Sequence, residues 1–250
     1  MSPFLRLALA VVATGAAMPA YAASDGLVAP LVRWAPVILG GFLFNVLVSI
    51  LAMTLGTVAG AALGLGLISE TRAIRVPSRI VTEFFRNAPW LVLLFYCILL
   101  IPFEFRVGGT IIPLPGWVKA VIGLALPVMA NVAEIVRGAV QSIPGAQWES
   151  AESLGFSRFQ TLWMIVLPQC LKRMLPPWMN LYAILTMATP LISIVGVEDG
   201  MTLTRAAIAS EGRTDLLMPM YGFLLALFFF YCYPIARWTV RLERRFALSA

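Results

Sequence analysis

The chain has 250 residues, of which 60% are hydrophobic and 12% charged, with a net charge of +6. Its mean hydropathy of +0.90 excludes an ordinary soluble core and places the chain in a bilayer. There is no His, and the three cysteines, Cys97, Cys170 and Cys232, lack CxxC spacing. Zinc hydrolysis and His-based triads therefore have no candidate residues, and the cysteine spacing implies neither a disulfide nor a metal site.

Residues 1–22 read as a signal peptide, with Arg6, an apolar stretch beginning at Leu7 and an A-x-A cleavage pattern at Ala20-Tyr21-Ala22. An uncleaved first helix is the alternative, and both readings put residues 23–33 outside. The uncharged intervals 34–69, 87–103, 120–133, 174–197 and 216–236 then supply five mature spans, since a crossing needs about 20 apolar residues. The interval 120–133 reaches that length if Lys119 snorkels outward. Counting the loops alternately puts twelve Lys and Arg residues inside and five outside, which orients the amino end out and the carboxyl end in. The basic residues lie beside the spans rather than in one patch, so they report topology and not a nucleic-acid site.

Within the first mature span, Gly56, Gly60 and Gly64 share one helix face and predict close helix packing. The stretch 75–89 predicts an interfacial helix capped by Ser78, with Arg79, Glu83 and Arg86 on one side and Ile80, Phe84 and Phe85 as apolar contacts. Pro127 and Pro190 predict kinks or breaks in two spans. The outer segments 104–117 and 198–215 read as solvated, with Glu198, Asp199, Glu211 and Asp215 balancing Arg205 and Arg213. Glu134 and Arg137, three apart at the inner end of a span, predict an ion pair.

The longest inner segment, about residues 142–168, carries helix signals of its own. Ser142 and Pro144 suggest a cap and a first-turn proline for a short helix over 147–154, which Gly155 ends in a left-handed position. Ser157 and Gln160 form a capping-box pattern for a second helix, with Phe159, Leu162, Trp163 and Val166 on one face until Pro168. The expected result is a helix-turn-helix elbow. Its first helix exposes Glu149, Glu152 and Ser153, while Trp148, Ala151 and Leu154 pack inward or into a partner's groove.

Glu149-Ser150-Ala151, three residues, Gly155, nine residues and Ile165-Val166-Leu167-Pro168 resemble the EAA loop of bacterial ABC importer permeases, with Ser150 in place of one alanine. The flanks, from Ala133-Glu134-Ile135-Val136-Arg137-Gly138 to Leu175-Pro176-Pro177-Trp178-Met179-Asn180, are similar to the polar amino acid type. So is Glu83-Phe84-Phe85-Arg86-Asn87-Ala88-Pro89, and the resemblance spans roughly residues 38–245. It implies an all-α membrane protein, one permease domain over 23–250, in the bacterial inner membrane, with a cytoplasmic coupling loop. It also implies partners: an ABC ATPase dimer that holds ATP-Mg, a second permease of the same or a related chain, and an extracytoplasmic solute-binding protein. The chain itself lacks the phosphate loop G-x-x-x-x-G-K-[ST], so it is expected to bind no cofactor and to catalyse no reaction.

The ATPase-coupling residues implied are Trp148, Glu149, Ala151, Glu152 and Gly155. Relatives commonly carry Lys-Asp-Thr-Ser-Leu in the fourth mature span, where this sequence has Met187-Ala188-Thr189-Pro190-Leu191. A charged or pairing contact is thus absent here or supplied by a second, non-identical permease. Met187, Thr189 and Pro190 are the candidate substrate-pathway residues, with side-chain packing as the plainer reading. The rivals are a secondary transporter or channel, an intramembrane enzyme and a scaffold. The first would normally show an internal repeat and midplane ionisable residues; the second needs a nucleophile with a base.

Overall fold

The computed structural model describes residues 26–107 and 110–247, so the signal-peptide reading of residues 1–22 lies outside the described residues. Helix α1 (Val28–Leu67) has 40 residues and, at 1.5 Å per residue, is about 60 Å long, twice the hydrocarbon thickness of a bilayer. Helix α2 (Arg72–Asn87) carries charged and apolar residues on different sides and meets α3 (Trp90–Leu100) at a bend of 106°. Ala88 and Pro89 make that bend in extended backbone, as the residue before a proline favours.

Two expectations change here. Ser78 does not cap α2, which starts six residues earlier at Arg72 and places Ser78 inside it, its Oγ donating to the Ile74 carbonyl at 2.8 Å. Helix α3 has 11 residues, about 16 Å, roughly half a bilayer core, so the interval 87–103 is not one crossing helix. The chain instead turns into an antiparallel hairpin, β1 (Glu104–Val107) and β2 (Thr110–Pro113), with Phe105 opposite Ile112. This is the exception to an all-helical chain, and aromatic and β-branched residues on either side of Gly108-Gly109 carried its signal.

After the hairpin come α4 (Gly116–Gln141), α5 (Gly145–Ser153), a single turn α6 (Arg158–Gln160), a π-helical turn (Thr161–Val166) and α7 (Leu167–Ala188). A 3₁₀ turn (Thr189–Ser193), α8 (Gly200–Glu211), a second 3₁₀ turn (Thr214–Leu216) and α9 (Leu217–Ala247) complete the described chain. Among the described residues α1, α4 and Thr214–Arg245 are each long and apolar enough to cross a membrane, and the bent α2–α3 pair would be a fourth. Helix α7 has the length, 22 residues, but it carries Lys172 and Arg173 in its second turn and contains Pro176 and Pro177.

The core sits where α1 crosses α4. A methyl group at Gly56 or Gly60 would come within 2.5 Å of Val128 or of the Met129 carbonyl, and at Gly64 within 2.7 Å of Val136. The small-residue face therefore serves packing inside one chain, with backbone approaching backbone as in other membrane helix pairs. Helix α4 continues through Pro127, while the expected break at Pro190 is present as the 3₁₀ turn.

Lys119 corrects another expectation. It does not snorkel outward: its side chain is 0% exposed, and its Nζ donates to the carbonyls of Ile101 at 2.7 Å and Ile98 at 3.3 Å. The ammonium also lies 3.0 Å from the centre of the Phe103 ring. Those carbonyls end α3 and have no helical partner, so a buried cation satisfies them and complements the negative end of the helix.

Candidate functional site

The elbow is built from local signals. Helix α5 ends in two hydrogen bonds, from Phe156 N to the Ala151 carbonyl at 3.1 Å and from Gly155 N to the Glu152 carbonyl at 2.9 Å. These are the paired bonds of a Schellman end, and Gly155 holds the left-handed position at φ 79° that a Cβ would disfavour. The next helix starts with a complete capping box: Gln160 N donates to Ser157 Oγ at 3.3 Å, and Ser157 N to Gln160 Oε1 at 2.9 Å.

The start of the elbow differs from expectation. Ser142 closes α4 by donating its Oγ to the Ala139 carbonyl at 2.7 Å, and Pro144 occupies the N-cap position of α5, which begins at Gly145. Nor does the second helix stop at Pro168. The π-helical turn widens the backbone just before it, which accommodates Pro168 and its missing N–H inside a continuous run of helix.

Of the expected coupling residues, Ala151 is buried, and Trp148 is half-buried over a cluster of Ala139, Val140, Ile143, Val166 and Cys170. Glu149 and Glu152 are exposed, and so is Leu154, at 76%. The α5 surface is thus two carboxylates and one large apolar side chain. Gln147 Oε1 is buried with no hydrogen-bond partner among the described residues, which leaves an acceptor beside that surface open to a donor. On the second helix, Val166 is buried, whereas Phe159 and Trp163 are exposed, their ring centres 5.9 Å apart.

A cavity of about 620 Å³ opens beside the elbow between α2, α4 and α7, with Arg86, Asn131, Glu134, Arg173 and Asn180 among its walls. The expected pair is there, Arg137 donating to Glu134 at 2.6 Å. Arg86 adds a second cation at 3.6 Å from the same carboxylate. Arg173 reaches across to donate to the carbonyl and Oγ of Ser142 at 2.8 and 3.0 Å, tying α7 to the end of α4.

The other end of the bundle holds a polar node that sequence reasoning missed. Asn45 on α1 donates through Nδ2 to Thr189 Oγ1 at 3.1 Å and to Asp199 Oδ2 at 3.0 Å, and accepts from Gly200 N at 2.9 Å. Asp199 Oδ1 accepts from Thr202 N at 2.9 Å and so caps α8. Asn45, Thr189 and Asp199 are all 0% exposed. Asp199 is therefore not part of a solvated charge balance, and burial is tolerable because each carboxylate oxygen has a donor. Arg213 and Asp215 do pair, and that hydrogen bond holds the guanidinium above its ordinary value. A lone Asn within the apolar run of α1 was the available signal, since an amide inside a membrane helix needs a partner.

The three candidate pathway residues part company. Thr189 is engaged in the node, and its Oγ1 also donates to the Thr186 carbonyl at 2.7 Å. Met187, exposed, and Pro190 line an apolar groove of about 480 Å³ with Leu225, Phe229 and Tyr233. Between the two ends, Ser49, Tyr182 and Tyr231 join α1, α7 and α9 through hydroxyl contacts of 3.3 and 2.7 Å.

Residues 56–247 match the family described as binding-protein-dependent transport system inner membrane component. The chain is similar to the probable amino-acid ABC transporter permease protein YckA of Bacillus subtilis (strain 168), 32% identical over 212 residues, 85% of this chain and 90% of that one. It is also similar to the inner membrane amino-acid ABC transporter permease protein YhdY of Escherichia coli (strain K12), 30% identical over 83% of this chain, a match that spans 56% of YhdY. Among solved structures, the crystal structure of an amino acid ABC transporter with histidines superimposes with a TM-score of 0.75 at 23% identity, over 89% of this chain and 99% of that one. The inward-facing MetNI methionine ABC transporter gives 0.63 at 17% identity over 89% and 98%.

Proposed function

The chain belongs to the family of binding-protein-dependent transport system inner membrane components, and from that premise we propose that it is the permease subunit of an ATP-driven importer for amino acids or related small polar solutes. It is a multi-pass protein of the bacterial inner membrane and a transport subunit rather than an enzyme, with ATP hydrolysed in separate subunits. Two permeases form the pathway, two cytoplasmic ATPases holding ATP-Mg dock on their elbows, and an extracytoplasmic binding protein delivers solute. The mature chain crosses five times, amino end out and carboxyl end in, after a signal peptide or a first helix at residues 1–22. In this arrangement α7 is the span that supplements those recognised by apolarity, and Lys172 and Arg173 stay at its inner end.

The observation that carries the reading is the elbow. A short helix with outward Glu149, Glu152 and Leu154 offers a partner a mixed acidic and apolar ridge, and the left-handed Gly155 turns its displacement into α7. ATP-driven approach of the two ATPases pulls α5, and the pair of permeases shifts between inward-open and outward-open states whose contacts differ. Trp148 seats α5 on the ends of α4 and α7, and Ala151 is the small residue where close packing is needed. Met187, Thr189 and Pro190 belong, in this proposal, to the pathway end of the lever, with Thr189 setting the break and Met187 on its open side.

The test is Gly155→Val in proteoliposomes that contain the partner subunits and a loaded binding protein. A branched side chain at a left-handed position costs about 1–3 kcal/mol, local to the elbow. Uptake should be lost while membrane insertion and the melting temperature of the permease stay close to wild type. Normal uptake would sink the coupling role.

A further inference from the structure

Arg158 is placed where three parts of the molecule meet, and neither the hinge nor the docking ridge uses it. It is the first residue after the Ser157 cap. Its guanidinium lies 4.7 Å from the centre of the Trp148 ring, so it stacks on α5 across the Gly155 turn. Its Nε lies 3.0 Å from Glu70 Oε1, an ion pair with the loop between α1 and α2. That loop is itself pinned, because Arg75 Nη1 donates to the carbonyls of Ser69 and Glu70 at 3.0 and 3.4 Å.

We infer that Arg158 and Glu70 form a second transmission route, by which displacement of α5 reaches the α1–α2 junction in parallel with the route through Gly155 into α7. The inference rests on the coupling role proposed above and identifies the residues that carry part of it. Helix α1 is the element the route serves: it is packed against α4 along Gly56, Gly60 and Gly64, and it holds the polar node through Asn45. A pull at the elbow end of α1 therefore reaches the hairpin end through one continuous helix. The contact borders a cavity of about 890 Å³ lined by Ser69, Glu70 and Thr71 from the α1–α2 loop and by Trp148, Phe159 and Trp163 from the elbow.

The pair cannot be there chiefly for stability. Arg158 and Glu70 side chains are 66% and 69% exposed, and an ion pair so hydrated contributes little to folding. Two long side chains bridging the elbow to a distant loop still set a distance between them, which is what a positioning contact needs. Both are positioning residues; neither touches the solute.

The experiment uses the complete importer in proteoliposomes and measures solute uptake and ATP turnover together, for wild type, Glu70→Arg, Arg158→Glu and the double exchange. With either single change, uptake per ATP should fall about fivefold or more, the range of a coupling energy, while the ATPase still co-purifies and the melting temperature is unchanged. The double exchange should recover a large part of the loss, which a lost ATPase contact would not do, while the unchanged melting temperature separates the effect from a structural one. Wild-type uptake per ATP in both single variants, loss of ATPase binding in either, or no recovery in the double exchange overturns the inference. Failure of the wild-type chain to bring down an ATPase would instead remove the coupling role itself, so the two failures are distinguishable.

Discussion

At the hairpin end, Asn45, Thr189 and Asp199 are fully buried and use every side-chain polar atom on one another or on nearby backbone. At the elbow end, Glu149 and Glu152 face outward on a helix of nine residues, with Leu154 at its C-cap, and the helix closes its own C-terminal end. The first arrangement joins three elements from distant parts of the chain, so a change there propagates into α1, the break after α7 and α8. The second is closed over a few residues, so it can tilt without opening the bundle. A transporter needs both: a part that keeps its geometry and a part whose displacement costs little.

The largest effect expected is at the node. Asn45→Leu leaves Gly200 N–H and Asp199 Oδ2 buried without their partner, at about 1–3 kcal/mol for each orphaned group. The purified permease should melt several degrees lower, and a melting temperature equal to wild type would break the contrast between the two ends. Next is the glycine seam: Gly60→Leu puts a side chain where even a methyl meets the Met129 carbonyl at 2.5 Å, and overpacking of this kind costs about 1–3 kcal/mol. Folded yield in detergent is the measurement, with Gly138→Ala, which meets nothing within 4 Å, as the control.

The elbow should respond more mildly in stability and more strongly in use. Ser157→Ala removes a cap worth about 1 kcal/mol, so hydrogen exchange should quicken at Ser157, Gln160 and Thr161 while the global melt stays put. A lower global melt would mean that the elbow is part of the same cooperative unit as the node. The smallest stability effect belongs to Arg158→Glu, whose exposed partner makes the melt insensitive, and there uptake per ATP is the sharper readout.

Legibility followed the same division. The left-handed Gly155, the Ser157–Gln160 box and the Glu134–Arg137 pair were readable because each is settled within one turn of chain. Helix starts were less so: Ser78 lies within α2 rather than before it, and Ser142 belongs to the end of α4. Either serine has an alternative backbone acceptor three or four residues back, and local composition does not say which bond forms. Lys119 departs from the snorkelling expectation because the carbonyls of Ile98 and Ile101 supply acceptors from a neighbouring helix in place of a water-facing route.

By itself the sequence determined a membrane protein, a polar elbow with a left-handed turn at Gly155, and a glycine face on α1, since composition, caps and periodicity act through the solvent or through the next few residues. Tertiary structure decided that α3 is only 11 residues long and leads into a hairpin, that α4 is what the glycine face meets, and that Arg86 joins Glu134. It also decided that Asn45 holds Asp199 and that Arg158 reaches Glu70. Each of these depends on which helices become neighbours, and inside a bilayer a polar side chain takes whichever partner that packing brings within reach.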